Sequence, residues 1–154
     1  MIRVLFVCHG NICRSPVAEF VCKDMVRRQG LQNKISIASA ATSTEELGSS
    51  IYPPARSIMD QNNIPYDDHR AVQVRRSDYD KYDYFLIMDE RNRRNIFRIF
   101  GDDPEDKVHT LLSYSKNPRD ISDPWYTRDF QQAFDDISEG CAAFLEHLRA
   151  GGEI

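Results

Sequence analysis

The sequence feature that most restricts the fold is a short apolar run near the start of the chain that passes directly into a polar loop and a helix. Val4 to Val7 is continuously apolar with β-branched ends, which is typical of a strand that is buried on both faces. The run stops at Cys8. A helix is predicted to follow, with Ser15 as its N-cap and Pro16 at its first helical position.

The rest of the chain continues this alternation of strands and helices. Further apolar runs predict strands at Lys34–Ser39, Tyr84–Met88 and Val108–Leu112. Helical spacing of apolar residues predicts helices that end near Gly30, cover about 55–62 and 91–100, and run from Phe130 to Gly151. The pattern predicts a single α/β domain over residues 1–154, with three layers in which helices cover both faces of a parallel sheet. In such sheets ligands bind beyond the carboxyl ends of the strands, where the Cys8 loop is expected to lie.

Length and composition limit the kind of protein. A chain of 154 residues with 41% hydrophobic and 29% charged residues is typical of an ordinary globular domain. The net charge of −4 argues against a generally basic, nucleic-acid-binding surface, although it is compatible with a local basic pocket. No apolar run approaches the roughly 20 residues of a membrane-spanning helix, and the first residues lack the pattern of a signal peptide. Four cysteines without that signal indicate a reducing compartment, so we expect a cytoplasmic protein. A monomer is the simplest expectation for its oligomeric state.

The loop between the first strand and the first helix has the composition of an anion-binding site. Backbone N–H groups in a loop of this length can converge on an anion, and the amino-terminal end of the helix adds its dipole. Gly10 and Asn11 tolerate the unusual backbone angles that such a loop requires, and Arg14 offers a planar fork of donors for two phosphate oxygens. The predicted phosphate-binding residues are His9, Gly10, Asn11, Ile12, Cys13, Arg14 and Ser15.

A cysteine at the base of this loop is a candidate nucleophile. The N–H groups that bind a phosphate would also stabilise the thiolate of Cys8, and Ser15 can donate a further hydrogen bond to the sulfur. The same donors would hold the oxygens of a phosphoryl group during in-line attack. Cys8 could instead be a small buried residue and Arg14 a surface charge, since cysteine is often only that. Their position on a strand-to-helix turn favours the catalytic interpretation.

Phosphoryl transfer also needs a proton donor for the leaving oxygen. Asp123 is the best candidate, because Pro124 favours an extended conformation before it and the neighbouring Trp125 and Tyr126 supply apolar walls that would keep a carboxyl group protonated. Asp120, three residues earlier, is the competing donor.

Together, these motifs resemble those of the low-molecular-weight protein tyrosine phosphatases, and the resemblance covers nearly the whole chain. The matching segments are 7–19, 39–42, 88–90 and 123–124. The resemblance implies a four-stranded parallel sheet and neither a metal nor an organic cofactor. It implies that Cys8 forms a phosphocysteine, that Arg14 clamps the phosphoryl group, and that Asp123 acts first as general acid and then as general base. A tyrosine-phosphorylated protein would be the substrate, and phosphate or other oxyanions would act as inhibitors.

The resemblance also implies residues that support the loop. Asn11 would hold its strained shape, with Ser39 and His69 behind it as hydrogen-bonded partners. Cys13 would form a disulfide with Cys8 under oxidising conditions, unless it is only a small residue packed behind the loop.

The substrate cleft departs from the family pattern. The family usually carries an aromatic residue three positions before the glycine that corresponds to Gly48, and this chain has Glu45 there. Either Tyr52 or Trp125, with Tyr126 beside it, would have to supply the wall, or the cleft would be more open and more acidic. We hypothesise that such a cleft binds acidic phosphopeptides weakly.

Other activities are compatible with parts of the pattern. A protein arginine phosphatase of the same fold would have threonine in place of Ile12, whose apolar side chain suits an aromatic ester better than a charged guanidinium. An arsenate reductase would need two further cysteines close together, and no cysteine lies between Gly30 and Gly140. A non-catalytic oxyanion-binding module would have no use for Cys8 and Asp123. The basic segment 91–95 precedes the acidic segment 102–106 and is expected to be a solvated helix face rather than a nucleic-acid site.

Overall fold

The protein is described by a computed structural model that covers residues 1–154. Its strands are β1 (Ile2–Cys8), β2 (Ile35–Ala41), β3 (Tyr84–Ile87) and β4 (Val108–Thr110). Its helices are α1 (Arg14–Arg28), α2 (Pro53–Gln61), α3 (Glu90–Phe100), α4 (Pro124–Thr127) and α5 (Phe130–Ala150). Short 3-10 turns cover Arg76–Asp80 and Leu111–Tyr114.

The four strands form one sheet in the order β2-β1-β3-β4, and every neighbouring pair is parallel. The strand order reverses next to β1, which pairs with β2 on one side and with β3 on the other. The crevice for a ligand therefore opens at the carboxyl ends of β1 and β3. Cys8, the last residue of β1, lies at this point.

Helices cover both faces of the sheet, as the apolar run at the start of the chain predicts. Val4 and Phe6 pack into a cluster of 27 buried residues that includes residues of α1, α2 and α5. Leu5 and Val7 point the other way, into a cluster of nine buried residues that includes Ile96 of α3. Because successive side chains of a strand alternate between faces, a continuously apolar run is what such a central strand requires. The predicted three-layer α/β fold with a four-stranded parallel sheet is confirmed.

The start of α1 differs from the sequence-based expectation. The helix begins at Arg14, and its N-cap residue is Cys13, which makes no capping hydrogen bond through its side chain. Ser15 is inside the helix, and its hydroxyl is used instead by Cys8 and Asn11. The prediction that Ser15 is the N-cap was therefore wrong, because a contact within the loop takes the hydroxyl that local sequence assigns to the backbone.

The other boundaries agree to within a few residues. β2 extends past Ser39 to Ala41, and β4 ends at Thr110, where the chain enters the 3-10 turn that begins at Leu111. Helix α3 is capped by Asp89, whose side chain accepts a hydrogen bond from the backbone of Asn92. None of the helices combines the length and the apolar character needed to cross a bilayer.

Gly140 in α5 provides a test of this packing. Glycine weakens a helix interior by up to about 1 kcal/mol relative to alanine, so propensity alone predicts that Gly140→Ala stabilises the protein. A Cβ at this position, however, would lie 2.5 Å from Cγ of the buried Leu111. We expect Gly140→Ala to lower the stability by about 1–3 kcal/mol through overpacking, which thermal unfolding followed by circular dichroism would detect as a lower Tm.

The control is Gly151→Ala, where the new Cβ would meet its nearest atom at 3.5 Å. This variant should unfold within about 2 °C of the wild type. A Gly140→Ala protein that is as stable as the wild type would show that α5 and the 111–114 turn do not pack as closely as described.

Candidate active site

Residues 8–15 curl around the sulfur of Cys8. The backbone N–H of Asn11 donates to Cys8 Sγ at 3.3 Å, and Ser15 Oγ lies 3.0 Å from the same sulfur. The residue is only 3% exposed. When the sulfur is a thiolate it can only accept, so Ser15 then donates to it. Two hydrogen-bond partners are thus directed at one sulfur, next to the amino-terminal end of α1.

The buried side chain of Asn11 holds the loop in shape. Asn11 has a left-handed backbone with φ of 59° and is completely buried. Its Nδ2 donates to Ser15 Oγ at 2.8 Å and to Ser39 Oγ at 3.0 Å, and its Oδ1 accepts from the N–H of Val72 at 3.2 Å. Both amide protons and the carbonyl oxygen are therefore satisfied, which is what a buried amide requires.

A second layer of polar side chains stands behind Asn11. His69 Nε2 lies 3.0 Å from the Asn11 backbone oxygen, and Ser39 Oγ donates to Glu19 Oε1 at 2.6 Å. Glu19 is itself buried and bonds Lys23 Nζ through its other oxygen at 2.6 Å. Glu19 was not among the predicted site residues. The available signal was its helical spacing, since it follows Ser15 by four residues and therefore lies on the same face of α1.

The guanidinium of Arg14 is buried and fixed along one edge. Its Nη1 donates to Asp89 Oδ2 and to the backbone oxygen of Ile121, each at 2.7 Å. Its Nε and Nη2 make no hydrogen bond, and Nη2 lies 3.5 Å from Asp123 Oδ2. This leaves the Nε–Nη2 edge of the fork available to two oxygens of a bound oxyanion.

Negative neighbours keep Arg14 charged. Burial by itself would lower the pKa of the guanidinium, but the adjacent Cys8 sulfur and the carboxylates of Asp89 and Asp123 raise it above its ordinary value. Asp89 was not among the predicted site residues. It lies two residues beyond the end of β3, and the carboxyl ends of parallel strands share one edge of the sheet, which was the signal that could have identified it.

Asp123 lies at the wall of the cleft and caps the short helix α4. Its Oδ1 accepts from the N–H of Trp125 at 3.0 Å, while its Oδ2 points towards Arg14. Its backbone is extended, as Pro124 predicts. The competing residue, Asp120, does not line the cleft, and its Oδ2 is within 3.5 Å of the N–H of Glu90. The geometry therefore favours Asp123 as the proton donor.

The cleft above Cys8 has an aromatic wall and an acidic wall. The half-exposed Trp125 and the exposed Tyr126 form the first, and Glu45 and Glu46 form the second. The remaining lining residues are Cys8, His9, Gly10, Ile12, Cys13, Arg14 and Asp123. His9 Nε2 lies 2.9 Å from Glu45 Oε2, so this imidazole connects the 8–15 loop to the acidic wall of the cleft.

Tyr52 is not in the cleft wall, contrary to one of the predicted alternatives. Its ring packs against Trp125 with the centroids 5.0 Å apart, and its hydroxyl accepts from Arg128 Nη2 at 3.1 Å. Tyr52 therefore packs behind Trp125, which itself lines the cleft. The reason is that Tyr52 precedes α2, where its side chain packs between α4 and the ring of Phe130.

The other cysteines are buried thiols. Burial, followed by the negative charges of Cys8 and Asp123, raises the pKa of Cys13, so this residue is neutral beside the nucleophile. Cys22 and Cys141 are fully buried in the main core, and burial raises the pKa of Cys141. No cluster of three or more His, Cys, Asp or Glu side chains is arranged to hold a metal ion.

Comparison with known proteins identifies the family. The model of the family described as low molecular weight phosphotyrosine protein phosphatase matches residues 3–153. The chain belongs to this family. It is 38% identical over 148 residues to the human low molecular weight phosphotyrosine protein phosphatase, with 93% of each chain covered. The resemblance found in the sequence motifs is thereby confirmed, and with it the class of enzyme, a protein-tyrosine phosphatase.

Solved structures of similar proteins share the architecture. The crystal structure of YfkJ from Bacillus subtilis has a TM-score of 0.93 and 34% identity, covering 98% of this chain and 96% of that chain. The structure of a drosophila arginine phosphatase has a TM-score of 0.85 and 28% identity, covering 95% and 97%. Since one fold is shared by phosphatases of different names, residues around the cleft must decide what each one accepts.

Two substitutions of Asn11 separate the roles of its backbone and its side chain. Asn11→Gly keeps the left-handed backbone accessible but removes the amide, whereas Asn11→Ala removes the amide and also strains the backbone by about 1–2 kcal/mol. We expect both to lower kcat for p-nitrophenyl phosphate by roughly ten-fold or more, and only Asn11→Ala to show the additional loss of stability in denaturant unfolding. Full activity in Asn11→Gly would contradict the role given to the amide.

Proposed function

We propose that this phosphatase hydrolyses phosphotyrosine in proteins, and small aryl phosphates, through a phosphocysteine at Cys8. The observation that carries the proposal is the position of a nearly inaccessible sulfur at the floor of a cleft whose upper wall is aromatic. A phenyl ring holds its phosphate further from the peptide backbone than the short side chains of phosphoserine and phosphothreonine do. Trp125 and Tyr126 provide apolar and stacking contacts for such a ring.

In the first step the thiolate of Cys8 attacks phosphorus. An S–P bond forms while the bond from phosphorus to the phenolic oxygen breaks, and Asp123 transfers its proton to that oxygen. The Nε–Nη2 edge of Arg14 and the N–H groups of the loop bind the phosphoryl oxygens as their charge redistributes. Asp89 and the backbone oxygen of Ile121 hold the guanidinium in this orientation before substrate arrives, so little reorganisation is needed.

In the second step water hydrolyses the phosphocysteine. The carboxylate of Asp123 accepts a proton from the water as its oxygen attacks phosphorus, and the S–P bond breaks to release inorganic phosphate. Ser15 and the N–H of Asn11 stabilise the sulfur as a leaving thiolate. Inorganic phosphate and other oxyanions fit the same loop and are expected to inhibit competitively.

The leaving group tests the role of Asp123. General acid catalysis contributes about 10²–10⁴-fold when the leaving oxygen is basic and less when it is a good leaving group. We expect Asp123→Asn to reduce kcat/KM strongly for phosphotyrosine and much less for p-nitrophenyl phosphate. Asp120→Asn is the matched control and should leave both rates within about two-fold of the wild type. The assignment fails if the two substrates lose activity equally in Asp123→Asn.

Cys8→Ser separates an enzyme from an oxyanion-binding module. This variant should still bind phosphate through the loop but should hydrolyse neither substrate.

The arsenate reductase alternative is not supported, because the only cysteines outside the loop, Cys22 and Cys141, are fully buried and cannot carry a disulfide outwards.

Phosphoarginine is the alternative substrate, and the similar drosophila structure gives it a specific basis. Ile12 lines the cleft in this chain and is 9% exposed. Its apolar side chain offers no hydrogen bond to a guanidinium, so we expect phosphotyrosine turnover to exceed phosphoarginine turnover at least ten-fold, and Ile12→Thr to narrow the ratio. Matched phosphotyrosine and phosphoarginine peptides, assayed by phosphate release, would show this. A higher rate on phosphoarginine in the wild type would reverse the substrate assignment.

A further inference from the structure

A second groove adjoins the active-site cleft on the side of α3. The groove and the cleft share one lining residue, His9. Its principal lining residues are His9, Thr42, Ser43, Arg91, Arg94 and Arg98. None of the last five belongs to the catalytic machinery described above.

The three arginines of this groove have no acidic partner. Arg91, Arg94 and Arg98 are three and four residues apart, which places them on one face of α3, and all three are exposed. Arg98 contacts only the side-chain oxygen of Asn95, at 3.3 Å, whereas the neighbouring Arg93 pairs with Glu90 at 3.0 Å. In a chain with more acidic than basic residues, three unpaired arginines on one face create a local positive potential.

The floor of the groove contains polar atoms that lack partners. Thr42 is 7% exposed, and its buried Oγ1 makes no hydrogen bond. The buried Nδ1 of His9 is also without a partner. A buried polar atom left without a partner typically costs stability. Because Thr42 and His9 both line the groove, its inner part is polar and suits an anion better than an apolar side chain.

The cleft side of His9 carries the opposite charge. Glu45 and Glu46 line that side, and His9, which bonds Glu45, stands between them and the arginine groove. A substrate in the cleft therefore lies beside acidic side chains, with the arginines in the adjoining groove beyond His9. This arrangement of charges would favour one chain orientation of an extended peptide that carries a phosphotyrosine.

We propose that the groove of Arg91, Arg94 and Arg98 binds an anionic group, either a carboxylate or a second phosphate, on a residue close to the phosphotyrosine in the same polypeptide. This inference rests on the proposed function and refines the expectation that acidic phosphopeptides bind weakly. Weak binding applies only to acidic residues that fall beside Glu45 and Glu46. A phosphate is matched best, because planar guanidinium forks bind its oxygens in pairs.

A long polyanion such as RNA fits the surface less well than a short anionic group. The arginine face is confined to one helix of 11 residues. The chain that follows it carries four acidic residues between 102 and 106. A nucleic acid that extended along α3 would meet these carboxylates, whereas a single phosphate or carboxylate would not.

Steady-state kinetics on matched peptides tests the proposal. Four phosphotyrosine peptides of equal length are needed: one neutral, one with acidic residues before the phosphotyrosine, one with them after it, and one with a second phosphotyrosine. In the wild type, one of the two acidic placements and the doubly phosphorylated peptide should be preferred over the neutral one. The variant R91Q/R94Q/R98Q should lose this preference, with kcat/KM on the favoured peptides falling about 5–20-fold at low salt and less at high salt.

Two controls isolate the groove from the overall charge. Arg93→Gln changes the charge of the same helix at the arginine that pairs with Glu90. R27Q/R28Q/R149Q removes an equal number of positive charges, three, near the far end of α1, about 20 Å from the loop. Both controls, and the groove variant on p-nitrophenyl phosphate or the neutral peptide, should stay within about two-fold of the wild type.

Each remaining outcome would overturn the proposal. A preference for charged peptides that persists in the groove variant would mean that the arginines do not bind them. An equal loss on p-nitrophenyl phosphate would place the effect in the catalytic cleft. If the wild type bound a single-stranded oligonucleotide and only the groove variant lost this, the groove would be assigned to nucleic acid. Failure of the wild type to hydrolyse any phosphotyrosine peptide, while it hydrolyses phosphoarginine, would contradict the proposed function and this inference with it.

Discussion

The hydrogen bonds of one buried amide support the rest of the site. Asn11 has a left-handed backbone conformation, which residues other than glycine rarely adopt. Its side-chain amide connects the loop to Ser15 of α1, to Ser39 of β2 and to the backbone N–H of Val72. Because three separate parts of the chain are tied to one residue, the loop keeps its curvature without a ligand. The N–H groups that we propose receive a phosphate are then already in place, which is the condition for electrostatic catalysis without reorganisation.

Charge balance is the second requirement of this loop. Arg14 is almost completely buried, and an unpaired charge there would be costly. Asp89 fixes one edge of the guanidinium and Asp123 lies near the other. The arrangement lets the arginine remain charged while the three N–H donors of Nε and Nη2 stay free. The carboxyl group of Asp123, the proposed proton donor, lies beside the guanidinium at 3.5 Å.

Specificity depends on residues that the fold does not dictate. Phosphatases of this architecture include proteins named for tyrosine and for arginine, so the sheet and the loop do not choose the substrate. In this chain the cleft combines the aromatic side chain of Trp125, the apolar Ile12 and the acidic Glu45. The arginines of α3 add the opposite charge on the other side of His9. A peptide is thus selected by the charges around its phosphotyrosine as well as by the aromatic ring itself.

The sequence by itself determined the features that depend on neighbouring residues. The apolar run of β1, the helical stripe of α5 and the spacing from Cys8 to Arg14 are local patterns, and they suffice for a parallel α/β sheet with an anion-binding loop. Tertiary structure alone decided the partners of these residues. Arg14 bonds Asp89 and Ile121, which are 75 and 107 positions away, Asp123 rather than Asp120 reaches the cleft, and Tyr52 lies behind Trp125. Local periodicity specifies which face of an element is buried, whereas the side chains that meet across the sheet edge are set by how the elements pack.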